Sequence, residues 1–275
     1  MGHRVAEQPL RKLALRIVSS IILIVATCAV IWFGPPAFDL FILTATIVLA
    51  WEWSRLCGQS EFSAPVAVLY LTMILVVAVT AFIRPAYGLA ACGAGTLAVF
   101  AVASAARADR AVWLSLGTLY IGLPALALLW ISRDPVWGRE TLALAIATVA
   151  ATDTAAYFVG RAVGGPRLAP VISPNKTWAG LAGGFAGGAV AGAVVCLIVG
   201  APYWLGAGLG AALAAISQTG DLFESAVKRR FGVKDSGVII PGHGGLFDRV
   251  DGHIAAVCAV AAANWVSGGS VLTWR

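Results

Sequence analysis

An all-α, polytopic integral membrane protein of about nine transmembrane helices, its N-terminus cytoplasmic, is the fold class this sequence predicts, on three observations. The first is composition: of 275 residues, 60% are apolar and only 12% charged, with a mean hydropathy of +0.88, where soluble domains carry about 25% charged residues. The second is recurrence, since apolar stretches lie at 17–33, 37–50, 64–82, 87–106, 111–132, 141–160, 178–200, 203–219 and 254–266. The third is charge asymmetry. Threading nine crossings from a cytoplasmic N-terminus leaves only Arg84, Arg133, Arg139 and Arg275 outside and puts the other 15 of the 19 basic residues inside, as the positive-inside rule requires.

The first stretch follows Arg11, Lys12 and Arg16 and so resembles the charged start of a signal peptide. Eight further apolar stretches and no small-residue cleavage site follow it, which predicts a retained helix. The second and last stretches fall short of the roughly 20 residues that cross about 30 Å of hydrocarbon, so they must borrow flanking residues. Trp32, Trp51, Trp53, Trp113 and Trp137 stand near span ends as interfacial anchors. Residues 1–140 read as scaffold helices, and 141–275 as a catalytic region with cytoplasmic loops at 161–177 and 222–252. Span seven repeats glycine at 180, 184, 188 and 192, one helix face suited to close backbone packing. No Walker A order accompanies it. The five cysteines, Cys28, Cys57, Cys92, Cys196 and Cys258, show no C-x-x-C spacing and read as packing residues. The net charge of +6 is accounted for by cationic loops facing anionic lipid, without nucleic acid.

From Asp153 onward the polar residues cluster. Asp153, Tyr157 and Arg161 recur every four residues on one face of span six; the aspartate is either functional or a helix-end carboxylate satisfied by Arg161 or a hydroxyl. Ser173-Pro174-Asn175-Lys176-Thr177-Trp178 stands at the start of span seven. There hydroxyls, an ammonium and free backbone N–H groups can meet an anion at a helix N-terminus, or the segment is a plain turn and cap. Asp221, Ser225 and Lys228 share a stripe of the helix leaving span eight, and Asp248 and Asp251 share a face if the last helix begins there. Carboxylates with hard oxygen neighbours and no Cys/His set suit Mg²⁺ better than zinc, and the basic residues among them suit a polyphosphate. Gly242, Gly244 and Gly245 around His243 allow close approach and positive φ. His243 itself reads equally as phosphate donor, proton carrier or a histidine bonded within its loop.

The ordered run Ser225-x-x-Lys228-Arg229, Lys234-Asp235-x-Gly237, Pro241-Gly242-His243-Gly244-Gly245 and Asp248-Arg249-x-Asp251 closely resembles the signature of the phosphatidate cytidylyltransferase family. The segments Asp153-x-x-Ala156-Tyr157-x-x-Gly160-Arg161 and Ser173-Pro174-x-Lys176-Thr177 agree with it. The resemblance is strong over about 150–255 and rests elsewhere on hydropathy and Trp51-Glu52-Trp53. Departures are Asn175, where the family has a basic residue, Ala179, where it has an acidic one, and Gly252 in place of serine.

The resemblance implies a homodimer with a polar cavity open to the cytoplasm, and a bacterial inner membrane is the simplest setting for it. It implies that CTP and bilayer phosphatidate react to give CDP-diacylglycerol and pyrophosphate, with Mg²⁺, alone or beside a second cation. Asp221 and Asp248 are then the expected metal ligands, with Asp251 or Asp235 as auxiliary carboxylates. Lys228, Arg229, Lys234 and Arg249 offset phosphate charge, and His243 joins Asp221, Asp248, Lys228 and Lys234 in the catalytic set. Ser173, Lys176 and Thr177 grip CTP, with Asp153, Tyr157 and Ser225 completing the substrate site. A CTP-dependent lipid kinase of the polyprenol type is the rival enzyme. A secondary transporter is the rival of another class, and it leaves the one-sided polar cluster without a use.

Overall fold

Helices dominate because the apolar spans must satisfy their own backbone hydrogen bonds inside lipid. The computed structural model describes residues 3–60, 62–237, 239 and 244–274, with side chains from residue 18 onward. Among these residues run α1 (His3–Phe33), α2 (Ala37–Leu56), α3 (Ala64–Phe82), α4 (Pro85–Ala105), α5 (Ala111–Ser132), α6 (Gly138–Val163), α7 (Trp178–Ile198), α8 (Tyr203–Arg230) and α9 (Phe247–Ser267). Seven of them, α2 to α7 and α9, are long and apolar enough to cross a membrane, and α1 adds the shorter apolar run Val18–Phe33. In α8 an apolar first half is followed by a polar one that begins at Asp221. The chain is a polytopic membrane protein. Its outer face is apolar, with Ile22, Ile24, Trp32 and Phe33 of α1 more than half exposed.

The two short apolar stretches lengthen as expected. Span two continues through Glu52 and Arg55 to Leu56, and span nine begins at Phe247, taking Asp248 and Asp251 into its first turns. The loop expected at 161–177 is instead partly a hairpin. Strand β1 (Arg167–Ala169) pairs antiparallel with β2 (Ser173–Thr177), Arg167 opposite Thr177 and Ala169 opposite Ser173. Gly164 and Gly165, both with positive φ, end α6 ahead of it. Strands this short, punctuated by Pro166, Pro170 and Pro174, carry no alternating pattern that sequence could reveal.

Successive helices alternate in direction, so connections collect at two ends. At one end Arg110 Nη1 donates to Leu56 O at 2.9 Å, its guanidinium stacks on Phe231, and Arg229 Nε donates to Ile172 O at 3.3 Å. At the other, Arg133 pairs with Asp39 at 2.8 Å and donates to Ala81 O, while Thr141 and Ser270 share a hydrogen bond. The glycine face of α7 works as a packing surface. A Cβ at Gly188 would lie 2.8 Å from both Gly210 O and Thr152 Oγ1, and one at Gly187 2.9 Å from Ala151 O. Thus α7 packs backbone to backbone between α6 and α8, which sets Asp153 and Asp221 on neighbouring helices.

An aromatic wall closes the base of the polar end. Trp53 of α2 donates from Nε1 to Trp113 O at 2.9 Å, and its ring sits 5.5 Å from Tyr120 of α5 and 5.8 Å from Phe247 of α9. Tyr120 stacks on Phe247 and leans on Phe223 of α8. Each such pair is worth about 0.5–1.5 kcal/mol beyond its buried area, and together they fix α2, α5, α8 and α9 below the charged residues.

Candidate active site

Two charged arrangements lie side by side at the end where α6, α8 and the hairpin meet. The first is built on the hairpin. Its second strand runs directly into α7, where Thr177 acts as N-cap and its Oγ1 accepts from Gly180 N at 3.0 Å. That register aims Lys176 at α8, where its Nζ lies 2.5 Å from Asp221 Oδ2, both side chains being mostly buried. Ser225, one turn on, donates to Asp221 Oδ1 at 3.4 Å. Asp153 lies within electrostatic range of Asp221, Lys176 and Arg249. Arg229 bonds both the hairpin turn, at Ile172 O, and Val233 O beyond the helix end.

The second arrangement centres on Lys228, whose ammonium lies 2.6 Å from Glu224 Oε2 and 2.6 Å from Asp248 Oδ1. All three side chains are nearly closed off, at 12%, 4% and 6% exposure. The other oxygen of Asp248 accepts from Ser236 N at 3.0 Å, Ser236 Oγ at 3.1 Å and Gly245 N at 2.9 Å. Gly244 has φ +86°, and a Cβ there would stand 2.9 Å from Asp248 Oδ2, so glycine is what the turn against this carboxylate requires. Asp251, one turn into α9, is within electrostatic range of Asp221, Glu224 and Asp153. The backbones carrying Asp251 and Asp221 nearly touch, since a Cβ at Gly220 would lie 3.1 Å from Asp251 O.

The residues singled out in sequence therefore gather at one end of the bundle, with distinct surroundings. Asp221, Ser225, Lys176, Asp153, Asp251 and Arg249 form one neighbourhood, and Lys228 with Asp248 forms the adjoining one. Arg161 donates to Tyr157 at 2.9 Å rather than to Asp153, and Tyr157 is exposed. Ser173 lies on β2, Lys234 is exposed, and His243 lies outside the described residues. Four residues given no site role from sequence also belong here. Glu224 was legible from its i, i+4 spacing to Lys228. Glu52, an acid inside an apolar span, carried the same signal as Asp153. Ser236 and Tyr120 had none; the Tyr120 hydroxyl is buried without a hydrogen-bond partner among the described residues, within electrostatic range of Glu224, Asp251 and Asp221.

The model of the cytidylyltransferase family matches residues 14–266. The chain belongs to that family. A phosphatidate cytidylyltransferase of Brucella suis is 38% identical over 247 residues, covering 88% of this chain and 89% of its own. The one from Pseudomonas aeruginosa is 38% identical over 242 residues, 84% and 89% of the two chains. That of Bacillus subtilis is 36% identical over 148 residues, about half of each. Both charged arrangements and the hairpin fall inside the matched region.

Proposed function

We propose that this chain is a CTP:phosphatidate cytidylyltransferase that forms CDP-diacylglycerol and pyrophosphate at the inner membrane, with its site facing the cytoplasm. The observation that carries the reading is the placement of Lys176, Asp221, Asp251 and Asp153 together at the end of the bundle that bears nearly all the basic loops. A lipid headgroup waits at that interface and CTP reaches it from the cytosol, so the acyl chains never leave the bilayer. The bacterial relatives support the inner membrane. By resemblance to the family the working unit is a homodimer.

The reaction needs no covalent enzyme intermediate, because the phosphate monoester of phosphatidate is already an anion. One of its oxygens attacks the α-phosphorus of CTP, the bond from that phosphorus to the bridging oxygen breaks, and pyrophosphate leaves. The protein must align two mutually repelling anions and offset charge as it builds on the leaving group. Ser173, Lys176 and the start of α7 would take the CTP phosphates, with Thr177 still able to donate its hydroxyl proton while capping the helix. Arg229, Arg249 and the exposed Lys234 would balance the rest. Lys228, enclosed by Glu224 and Asp248, would hold the Asp248 loop against α8.

The donor set fits Mg²⁺. Every candidate ligand is a hard oxygen, and although no three acidic, His or Cys side chains converge as a ready cage among the described residues, Mg²⁺ uses only one or two carboxylates and completes its shell with water and substrate phosphates. Asp221 and Asp251 would hold it, whereas Asp248 is engaged on both oxygens, Oδ1 by Lys228 and Oδ2 by Ser236 and Gly245. Mg²⁺ held there would supply positive charge against that building on the departing pyrophosphate. The deciding experiment incubates purified protein with phosphatidate, labelled CTP and Mg²⁺. CDP-lipid and pyrophosphate are expected; CDP and a lipid phosphate made from a lipid alcohol would instead identify the kinase, and neither would sink the enzyme.

A further inference from the structure

Glu52 is fully enclosed, at 0% exposure, in a helix of the N-terminal half. Among the described residues its carboxylate meets three donors, each nearly two hundred residues away in the chain. Oε1 accepts from Leu246 N at 2.7 Å; Oε2 accepts from Phe247 N at 2.9 Å and from Ser236 Oγ at 3.1 Å. Leu246 and Phe247 open α9, so their N–H groups are among the orphan donors of a helix start, and α2 supplies the anion that caps them. The loop backbone closes on that carboxylate: a Cβ at Gly237 or at Gly245 would stand 2.7 Å from Oε1.

Ser236 carries the contact further. Its hydroxyl lies 3.1 Å from Glu52 Oε2 and 3.1 Å from Asp248 Oδ2, so its single proton is shared between two carboxylates. Asp248 in turn holds Lys228. The chain of contacts runs from α2 through Ser236 to Asp248 and Lys228, and the donors that Glu52 meets among the described residues lie between Ser236 and Phe247. An apolar side chain at position 52 would suit the span better, but it would leave three donors of the loop and of α9 unmet.

We infer that Glu52 is a positioning residue for nucleotidyl transfer: it fixes segments 236–237 and 244–248, and through them Asp248 and Lys228, without touching substrate. This rests on the cytidylyltransferase reading above. The test compares full-length wild type, Glu52→Gln and Ser236→Ala in detergent. Glu52→Gln keeps the size of the side chain but turns one acceptor into a donor facing N–H groups. In folded, monodisperse Glu52→Gln, kcat should fall about 10–100-fold, as for residues that orient a catalytic group from behind it, with the KM for CTP little changed. Trypsin should cut at Lys234 faster than in wild type. Ser236→Ala, which removes only the bridging hydroxyl, should lower kcat in the same sense and decides the matter if Glu52→Gln does not fold. Wild-type kcat in the folded variants, with only melting temperature reduced, would overturn the inference. Wild-type protein that makes no CDP-lipid would sink the enzyme reading instead, while the tryptic comparison would still report whether Glu52 holds the loop.

Discussion

Lys176 Nζ lies 2.5 Å from Asp221 Oδ2, joining the hairpin that precedes α7 to the middle of α8 across 45 positions of sequence. In the proposed reaction substrate and cation would separate this pair, the CTP phosphates taking the ammonium and Mg²⁺ the carboxylate.

Lys176→Ala should therefore raise the KM for CTP about tenfold or more, since a charge-assisted hydrogen bond is worth about 1.5–3 kcal/mol. Asp221→Asn should abolish Mg²⁺-dependent turnover while the protein still inserts. Initial rates over a CTP series, at fixed phosphatidate and saturating Mg²⁺, separate the two. A KM for CTP unchanged in Lys176→Ala would remove the hairpin from the nucleotide site.

Packing through the glycine face of α7 makes a prediction about stability alone. Gly188→Leu cannot be accommodated, because even its Cβ would lie 2.8 Å from the Gly210 carbonyl, whereas Gly208 has open space around it. The leucine variant should lose at least about 1–3 kcal/mol by overpacking and elute as aggregate. Gly208→Ala should hold or gain stability through helix propensity, by at most about 1 kcal/mol. Thermal unfolding of both in one detergent checks the contrast, and a monodisperse Gly188→Leu with wild-type melting would refute the packing role.

These two predictions draw on features that differ in how far sequence exposes them. The glycine repeat on α7 is periodic and local, so it is legible before any fold is known. So are the spans, whose hydropathy is a property of short windows, and the i, i+4 relation of Glu224 and Lys228. Lys176 meeting Asp221 is not legible, because it depends on a hairpin of three and five residues that hydropathy cannot detect. Glu52 and Tyr120 lie still further from view. Each sits in a helix that reads as scaffold, and its relation to the site exists only once α2 and α5 pack against α9.

The orientation of the bundle can be tested by labelling. Asp109 lies in a connection at the site end and Val136 in one at the opposite end, and both are exposed. In a Cys28→Ser background, a membrane-impermeant maleimide should label Val136→Cys in intact cells and reach Asp109→Cys only after permeabilisation. The reverse pattern would place the site outside the cytoplasm, away from CTP.

Asp248 and Asp251 stand one turn apart on α9, yet their substitution should have opposite effects on stability. Asp248 lies within hydrogen-bond distance of four donor groups, one the enclosed Lys228, so Asp248→Asn removes one of the two charges that balance that ammonium and turns one acceptor toward donors. Breaking such an enclosed pair costs about 3–5 kcal/mol, and melting temperature and activity should fall together. Asp251 instead faces Asp221, Glu224 and Asp153, all of its own sign. Asp251→Asn relieves repulsion, so its melting temperature should hold or rise, while the Mg²⁺ concentration for half-maximal activity should increase about tenfold or more, the equivalent of about 1.4 kcal/mol of lost binding. Differential scanning fluorimetry alongside Mg²⁺ titrations of CDP-lipid formation tests both variants at once. If Asp251→Asn kept wild-type Mg²⁺ dependence while Asp248→Asn remained stable and lost it, the cation would belong to the Lys228 side of the site, and the division between a binding carboxylate and a loop-holding one would be reversed.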